Sequence, residues 1–525
     1  MILSEHSLRQ LDESYIRSLP EVACQELAVK LLVDLKTLHE RIHQNPDNSS
    51  MPPSSRLPWS MDEPSDDGSE NTLETDDSNR FEPVREPIAG AERETSGEGE
   101  GGTKESSSLV KRNPGKQPGA AGHGRTQQLP ITNIVEHRVL CCTGCDHQFT
   151  EQDKKVAWTG FYSIDLEIGT SGIQVMNTKH VYYDTTCPCG HVTREYPHRE
   201  EDDGFWENVG LSEWRLAGPM LCAFIVSLSY RMRISRTKIQ EFLYDWLGVR
   251  LSIGTIQRCL EESARACAPV EDQIVEQVVN SGLLYADETT HKEKKTLLWL
   301  WVFVTRFSVL YFIGYRSAEI ITNLLGETYT GWLMSDGYQV YRKYSNRLRC
   351  WAHLMRKAKG LEESLDIKGQ RFGRRVHEIF KILTKAVYQA REGPPHGDLK
   401  KIHGKLLSEL HDLCEAMKTS SHEKTRALAG ELLNDWDSVF TVLSHPHLPL
   451  TNNEAERMLR HLVILRRITY GTRSENGTRA LALLASVVET CRRRKVSPWS
   501  YLAQVIRMRR QGQDAPPLPL SALAL

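Results

Sequence analysis

Three carboxylates stand in the chain where a two-metal site would need them. Asp287 and Asp336 each follow a short apolar run, residues 283–286 and 332–335, and Glu456 lies on a helix that begins after residues 451–453. An acid at the end of a hydrophobic strand is costly to bury unless it binds a cation or another partner. Mg²⁺ prefers carboxylate oxygens, and two such ions about 3.5–4 Å apart activate the attacking oxygen and stabilise the leaving oxygen of a phosphoryl transfer. For one acid alone a helix cap or surface ion pair is the commoner explanation, but the order of all three favours a metal site.

Two neighbouring acids compete with these residues. Glu454 lies two residues before Glu456, so the two side chains point about 200° apart on a helix and only one can face the metals. Strand alternation sends Glu288 to the face opposite Asp287, which favours Asp287.

A second set of metal-ligating residues is formed by closely spaced cysteines. Cys-x-x-Cys is followed, after 41 residues, by Cys-x-Cys-Gly-His, and the predicted zinc ligands are Cys142, Cys145, Cys187 and Cys189. Four thiolates satisfy a tetrahedral Zn²⁺ at about 2.3 Å each, and the metal replaces a core too small to fold alone. The second pair is tighter than usual, so three neighbours are alternative ligands: Cys141, His147 and His191. Free, partly buried thiols are the competing interpretation.

The elements that must position the acids can be predicted from the apolar pattern. The runs GLLYADE, TLLWLWVFV and VLYFIGY predict three strands, SAEIITNLLGE a helix, GWLMSD a fourth strand and RLRCWA a fifth. Residues 353–444 are helical in pattern, and the helix with Glu456 follows. This order predicts an RNase H-like nucleotidyl transferase core with an all-helical insertion.

The other segments differ in composition. Residues 20–44 carry apolar residues at coiled-coil spacing, which fits either self-association or an ordinary amphipathic helix. The polar chain to about residue 125 has too little apolar surface to order and predicts a disordered linker. The predicted organisation is multidomain α+β and α/β: a helical segment (1–45), an acidic linker (46–128), a zinc ribbon (129–200), a helical segment (205–280), the first part of the core (281–360), a helical insertion (361–446), the last part of the core (447–512) and a tail (513–525).

A helix–turn–helix pattern lies before the first catalytic strand. Residues 237–247 predict one helix, Gly248 and Val249 a turn, and Ser252 the cap of a second helix. A packing hairpin with no DNA contact fits the pattern equally well.

Charge is distributed unevenly although the net charge is only −2. Residues 61–110 hold 15 acids and 4 bases, whereas residues 341–390 hold 13 bases and 4 acids and residues 457–510 hold 13 bases and 2 acids. Such basic segments indicate a polyanion partner, for which nucleic acid is the first candidate. The candidates for lining a DNA channel, with a solvated face as the alternative, are Arg342, Lys343, Arg347, Arg349, Arg356, Lys357, Arg466, Arg467, Arg473, Arg492, Arg493 and Arg494.

Composition also excludes some classes of protein. No apolar run approaches the roughly 18 residues that a membrane helix needs, and the first residues lack a signal-peptide layout, so membrane spanning and secretion are not expected. Twelve cysteines at irregular positions suggest a reducing cytoplasm.

The motifs taken in order resemble a transposase of the insertion sequence 66 family over nearly the whole chain. They are NPDNSSMPPSS, CxxC…CxC, YADET, LLWLWVFV…VLYFIGYRSAE, MSDGYQVY, CWAHLMRKA, LPLTNNEAERMLR, RRITYGTRSENG and SVVETCRRRKVSPWSYL. The resemblance implies a DDE transposase with an RNase H-like core, two Mg²⁺ ions (Mn²⁺ being the alternative) and a structural Zn²⁺. Its catalytic triad would be Asp287, Asp336 and Glu456, because the family pattern places the acid between Ala455 and Arg457.

The resemblance also implies partners and a location. These are terminal inverted repeats, target DNA, a homo-oligomer on DNA, accessory proteins of the same element, and a nucleoid-associated place in a prokaryotic cytoplasm. Two departures are Thr451 where the family often has aspartate, and a longer acidic linker; threonine still caps a helix well. Cys350-x-x-His353 resembles an element of related transposases that either positions groups near the metals or packs the core. The competing functions are a DNA-binding regulator with an inactive core and a nuclease without joining activity.

Overall fold

The computed structural model describes residues 11–44, 48, 130–170, 172–199, 211–393 and 397–520. Of the predicted acidic linker only Asn48 is among them, and the last five residues of the predicted tail lie outside them too. All described residues belong to one compact unit, which excludes residues 57–128. The expectation of a disordered linker therefore falls outside the described residues.

The N-terminal segment forms two helices, α1 (Glu13–Ser18) and α2 (Glu21–Ile42). The end of α2 contacts the helical insertion, because Glu40 is paired with Lys424 at 2.8 Å and with His422 at 3.3 Å. Two residues at predicted coiled-coil positions, Leu35 and Ile42, remain 65% and 77% exposed. Whether this face mediates self-association stays a prediction.

The cysteine-bearing segment forms a mixed sheet. Its strands are β1 (Asn133–His137), β2 (Lys154–Gly169), β3 (Gly172–Thr186) and β4 (Val192–Arg194). Strands β2 and β3 form a long antiparallel hairpin, β1 pairs with β3 in parallel, and β4 pairs with β3 antiparallel. The hairpin is joined to the rest of the unit at Ile164, which accepts from the Gly218 amide at 2.7 Å and donates to the Leu216 carbonyl at 2.6 Å.

A helical segment follows the sheet. Its helices are α3 (Pro219–Val226), α4 (Arg236–Leu247), α5 (Ile253–Ala266) and α6 (Ala268–Val279), with a π-helical turn at Ser227–Arg231. As the sequence predicts, α4 and α5 form a hairpin in which Ser252 caps α5 by accepting from the Thr255 amide at 3.1 Å. Gly248 ends α4 with φ 65°, a left-handed conformation in which glycine has no steric cost.

The predicted strands form a five-stranded mixed sheet in the order β7-β6-β5-β8-β9. The strands are β5 (Leu283–Glu293), β6 (Thr296–Val304), β7 (Val309–Gly314), β8 (Trp332–Ser335) and β9 (Arg347–Arg349), and α7 (Ala318–Leu325) connects β7 to β8. Strands β5, β6 and β7 are antiparallel neighbours, whereas β8 and β9 run parallel to β5. One expectation is corrected: Asp287 does not end its strand, because β5 continues to Glu293 along β6.

The remaining chain is helical. The helices are α8 (Trp351–Glu362), α9 (Ile367–Glu392), α10 (Leu399–Ile402), α11 (Gly404–Met417), α12 (Glu423–Asn434), α13 (Trp436–Ser444), α14 (Asn453–Thr469), α15 (Glu475–Arg493) and α16 (Pro498–Arg510). Helices α8 to α13 share one hydrophobic core, which reaches the sheet through Met334 and Leu348. Apolar residues of α14 and α15 pack on β6 and β7 in another core. Met334 and Val304 both pair with Tyr285, so these two cores lie on the same face of the sheet. On the opposite face, Trp301 and Phe303 pack in a third core with helices α3 to α6, α15 and α16.

Candidate functional site

The three predicted carboxylates converge on one cavity of about 730 Å³, which Asp287, Asp336 and Glu456 all line. Strand register explains the first two. The last pair between the parallel strands β5 and β8 is Tyr285 with Met334, and each acid lies two residues beyond it. Parallel pairing therefore brings two acids that are distant in sequence to the same edge of the sheet.

Glu456 is positioned by the residues just before α14. The side-chain amide of Asn452 donates to the Ala286 carbonyl at 2.9 Å, and its backbone amide donates to Cys350 Sγ at 3.3 Å. These bonds tie the start of α14 to β5 beside Asp287, and Glu456 follows one helical turn later. Helix α14 begins at Asn453 as expected, but Asn452 rather than Thr451 is its N-cap residue and makes no side-chain cap.

The cavity concentrates negative charge in a poorly solvated place. Burial, with the neighbouring charges of Asp336, Glu288 and Glu456, raises the pKa of Asp287 well above its usual range. Burial also raises the pKa of Glu456, against the opposing charges of Arg356 and Arg460. Repelling carboxylates gathered in one cavity are a donor set that fits hard divalent cations.

Glu288 lies in the cavity, contrary to the expectation from strand alternation. One carboxylate oxygen accepts from Arg316 at 2.7 Å and the other from the Tyr341 hydroxyl at 3.0 Å. Burial, then the charge of Asp336, raises the pKa of Glu288 to about 7. Because β8 ends before this point, the sheet edge is open and side chains from both faces of β5 reach the cavity.

Glu454, the rival of Glu456, points elsewhere. It pairs with Arg493 at 2.8 Å and with Arg457 at 3.3 Å, and it lines a separate cavity. The geometry thus brings Glu456, not Glu454, together with the two aspartates.

Basic residues surround the carboxylates, although not all of those that the sequence suggested. The cavity is lined by Arg316, Arg342, Arg356, Lys357, Arg460, Arg466 and Arg467. Lys343, Arg473 and Arg492 are exposed outside the lining. Sequence reasoning missed Arg316 and Arg460; the second lies one helical turn after Glu456, which would have revealed it.

Three arginines predicted to contact DNA are buried instead. Arg347 and Arg349 are 4% and 2% exposed and pair with Asp435, and Arg349 also pairs with Glu431. Arg494 is 6% exposed and donates to backbone carbonyls, including that of Phe307 at 3.0 Å. Arg493 is partly buried and pairs with Glu454. These guanidinium groups are occupied within the protein, which corrects the expectation for the buried three.

The Cys350-x-x-His353 element divides between core and cavity. Cys350 is 1% exposed and belongs to the insertion core. His353 lines the cavity with Nδ1 3.7 Å from a Glu456 oxygen, and burial together with Arg356 lowers its pKa to about 4. The imidazole is therefore neutral near pH 7, and at this distance it makes no hydrogen bond to Glu456.

The predicted zinc cysteines also converge. The Sγ atoms of Cys142, Cys145, Cys187 and Cys189 lie within 4.8 Å of one another, with two pairs at 3.8 and 3.5 Å. Cys142 and Cys145 precede β2, and the other pair lies between β3 and β4, so the sheet brings both turns together. The alternative ligand His191 instead contacts the Thr143 hydroxyl at 2.9 Å. Four converging thiols are the donor set of a structural Zn²⁺ site.

No helix among the described residues is both long and apolar enough to span a membrane.

Comparison with known proteins places residues 215–480 in a family model described as "Transposase IS66 family". Curated relatives from Sinorhizobium fredii carry the names uncharacterized protein y4qI and y4jO. Protein y4qI is 24% identical over 53% of this chain, and protein y4jO is 28% identical over 37% of it. In each comparison the match covers 57% of the relative. The chain thus spans less than two thirds of the length of these relatives.

Proposed function

The chain belongs to the IS66 family of transposases, and on this basis we propose that it is a DNA transposase with an RNase H-like catalytic core. It binds the terminal inverted repeats of its element, cuts strands with water, and joins the resulting 3′-hydroxyls to target DNA. The observation that carries this proposal is the convergence of Asp287, Asp336 and Glu456 on one cavity with a basic rim.

The sheet order supports an RNase H-like core. Three antiparallel strands are followed by two strands parallel to the first, with Asp287 on the first strand and Asp336 directly after the fourth. The helix with the third acid packs against β5 and β6. The insertion between the second and third acids is wholly helical, as the family resemblance implies.

The carboxylates would hold two Mg²⁺ ions, which when bound activate the attacking oxygen and stabilise the leaving one. Asp287, Asp336 and Glu456 supply the oxygen ligands. His353 lies beside Glu456 in the wall of the cavity. Basic residues of the rim bind the phosphates of the strand being cut, which positions the scissile bond over the acids and offsets its charge.

The other segments serve binding and stability. Cys142, Cys145, Cys187 and Cys189 hold a structural Zn²⁺, and the α4–α5 hairpin contacts the terminal repeat. The active complex is a homo-oligomer on DNA, helped by accessory proteins of the element, in the nucleoid of a prokaryotic cell.

The test is strand cleavage by single neutral variants. Asp287→Asn, Asp336→Asn and Glu456→Gln are each expected to abolish Mg²⁺-dependent cleavage of terminal-repeat DNA while duplex binding persists. Glu454→Gln is the matched control, because it removes an acid from the same helix turn outside the cavity. Cleavage at near wild-type rate by one of the three variants would remove that residue from the triad.

A further inference from the structure

A cluster of arginines surrounds His461 beside the catalytic cavity. Arg231 Nη1 lies 3.2 Å from His461 Nε2, and Arg233 Nη2 lies 2.9 Å from His461 Nδ1. Arg460 and Arg492 are exposed nearby and add their charge at the imidazole. Arg231 also donates to Glu489 at 2.8 Å, and the charge of Arg460 opposes that of Glu456.

The hydrogen bonds of this cluster are incomplete. A neutral imidazole has one donor nitrogen and one acceptor nitrogen, so it can accept from only one of the two arginines. Arg233 Nε is buried and has no hydrogen-bond partner. Neither Arg460 nor Arg492 forms a side-chain hydrogen bond or ion pair within the described residues. Arg460 and Arg492 therefore present exposed guanidinium donors that no hydrogen-bond acceptor of the described residues satisfies.

The backbone that presents the cluster is unusual. Arg231 ends the π-helical turn Ser227–Arg231, and Arg233 has φ 60°, which is unfavourable for a residue with a side chain. π-helical turns and left-handed non-glycine residues occur often at functional sites, where the surrounding structure holds them. Here both features place arginines against His461.

The position of the cluster indicates its ligand. Arg460 lies one helical turn after Glu456 and lines the catalytic cavity. Arg233 lies two residues before Ser235, the N-cap of α4 in the helix–turn–helix hairpin. The cluster thus lies between a residue that lines the catalytic cavity and the segment that leads into the hairpin.

We propose that Arg231, Arg233, Arg460 and Arg492 bind a backbone phosphate of the DNA strand that runs from the catalytic cavity toward α4. This rests on the proposed function. Phosphate oxygens accept several guanidinium hydrogen bonds at once. The exposed donors of Arg460 and Arg492 can reach such a group directly, and Arg231 and Arg233 add their positive charge beside it. The contact carries no sequence information and fixes the register of the strand over the acids.

The test is the salt dependence of binding to a random duplex of about 40 base pairs. Binding is measured by fluorescence anisotropy in the absence of divalent ions. Arg233→Gln is expected to weaken binding about tenfold and to lower the slope of log affinity against log salt by about one. Arg233→Gly should do the same while preserving the fold, because glycine adopts this φ without strain. Arg371→Gln, an exposed arginine of α9, is the control and should leave the slope unchanged.

Unchanged slopes for both Arg233 variants would overturn the proposal, as would an equal fall in the Arg371 control. Cleavage by wild type and by Asp287→Asn separates this result from the proposed function. If wild type cleaves no better than Asp287→Asn, the result counts against the proposed transposase. If wild type cleaves and Asp287→Asn does not, but the salt slopes of the Arg233 variants are unchanged, the result counts only against this phosphate site.

Discussion

Asp435 is expected to stabilise the packing of the helical insertion against the five-stranded sheet. Its side chain is fully buried and pairs with Arg347 at 2.5 Å, Arg342 at 3.1 Å and Arg349 at 3.2 Å. Arg347 and Arg349 form β9, which pairs with β8 just before Asp336. Asp435→Asn keeps the shape of the side chain and removes the charge that compensates buried arginines.

The magnitude follows from the burial of these arginines. The side chains of Arg347 and Arg349 are 5% and 1% exposed, so solvent screens little of their interaction with Asp435. Breaking a buried ion pair by removing one partner costs about 3–5 kcal/mol. This agrees with a Coulomb energy of about 4 kcal/mol at 4 Å for an effective dielectric constant of 20. For a unit of about 400 residues, whose unfolding entropy is about 0.85 kcal/mol/K, the melting temperature should fall by about 4–6 °C.

The assay is thermal unfolding with limited proteolysis, and the control is Asp437→Asn. Asp435 is the N-cap residue of α13, and Asp437 is an exposed acid in the first turn of that helix. Replacement of Asp437 should therefore change stability by less than about 0.5 kcal/mol. Arg349 lies close to Gly337, the residue after Asp336, since a Cβ built on Gly337 would be only 3.0 Å from Arg349 Nη1. The cleavage activity of Asp435→Asn should therefore fall as well, because a displaced Arg349 would disturb the chain beside Asp336. Equal melting temperatures for the two variants would refute the assignment of Asp435 to this role.

The remaining predictions concern the zinc site, the ribbon sheet and the arginines of α15. Cys187→Ser should abolish binding of one zinc per chain and increase hydrogen exchange in the cysteine turns. The β2–β3 hairpin near Ile164 should stay protected from exchange because it packs in the main core. Metal analysis that finds no zinc in the wild-type protein would contradict the zinc site. Burial and then His137 lower the pKa of His180 to about 4. The unfolded chain therefore binds a proton at His180 at a higher pH than the folded chain does, and stability should fall as pH drops from about 6.5 to 4. The fall is measured by tryptophan fluorescence, and an equally steep fall in His180→Gln would exclude this histidine as the cause. Arg492→Gln should lower the salt slope of DNA binding, whereas Arg494→Gln should lower the melting temperature, and the reverse pattern would show that their environments are misassigned.

The succession of strands and the approach of the three carboxylates could be predicted because both leave local signals. The apolar runs before Asp287 and Asp336 end at the acids, and their spacing gives strands, helix and strand in order. The extent of β5 beyond Asp287 could not be predicted in this way. It depends on pairing with β6, which continues after β8 has ended.

The burial of Arg347 and Arg349 could not be predicted from their surroundings in the chain. Their partner Asp435 follows Arg347 by 88 residues, on the far side of the insertion. A basic run has the same local pattern whether its side chains face DNA or a distant acid, so charge counts alone overestimated the DNA-binding surface. The same holds for Glu288, whose partners Arg316 and Tyr341 come from later elements.

Asn452 explains why the departure at Thr451 leaves the site intact. The first position of the family's Asp-Asn-Asn run suggests a helix cap, and threonine was expected to replace it in that role. In the structure the residue that fixes the helix is Asn452, whose side chain reaches the carbonyl of Ala286, immediately before Asp287. A hydrogen bond from the start of α14 to β5 sets the distance between the third acid and the first. Because Asn452 is fully buried, a side chain there that could not donate would leave the Ala286 carbonyl without this partner. The geometry of the site thus depends on the asparagine that this chain retains, and the residue that differs lies outside that contact.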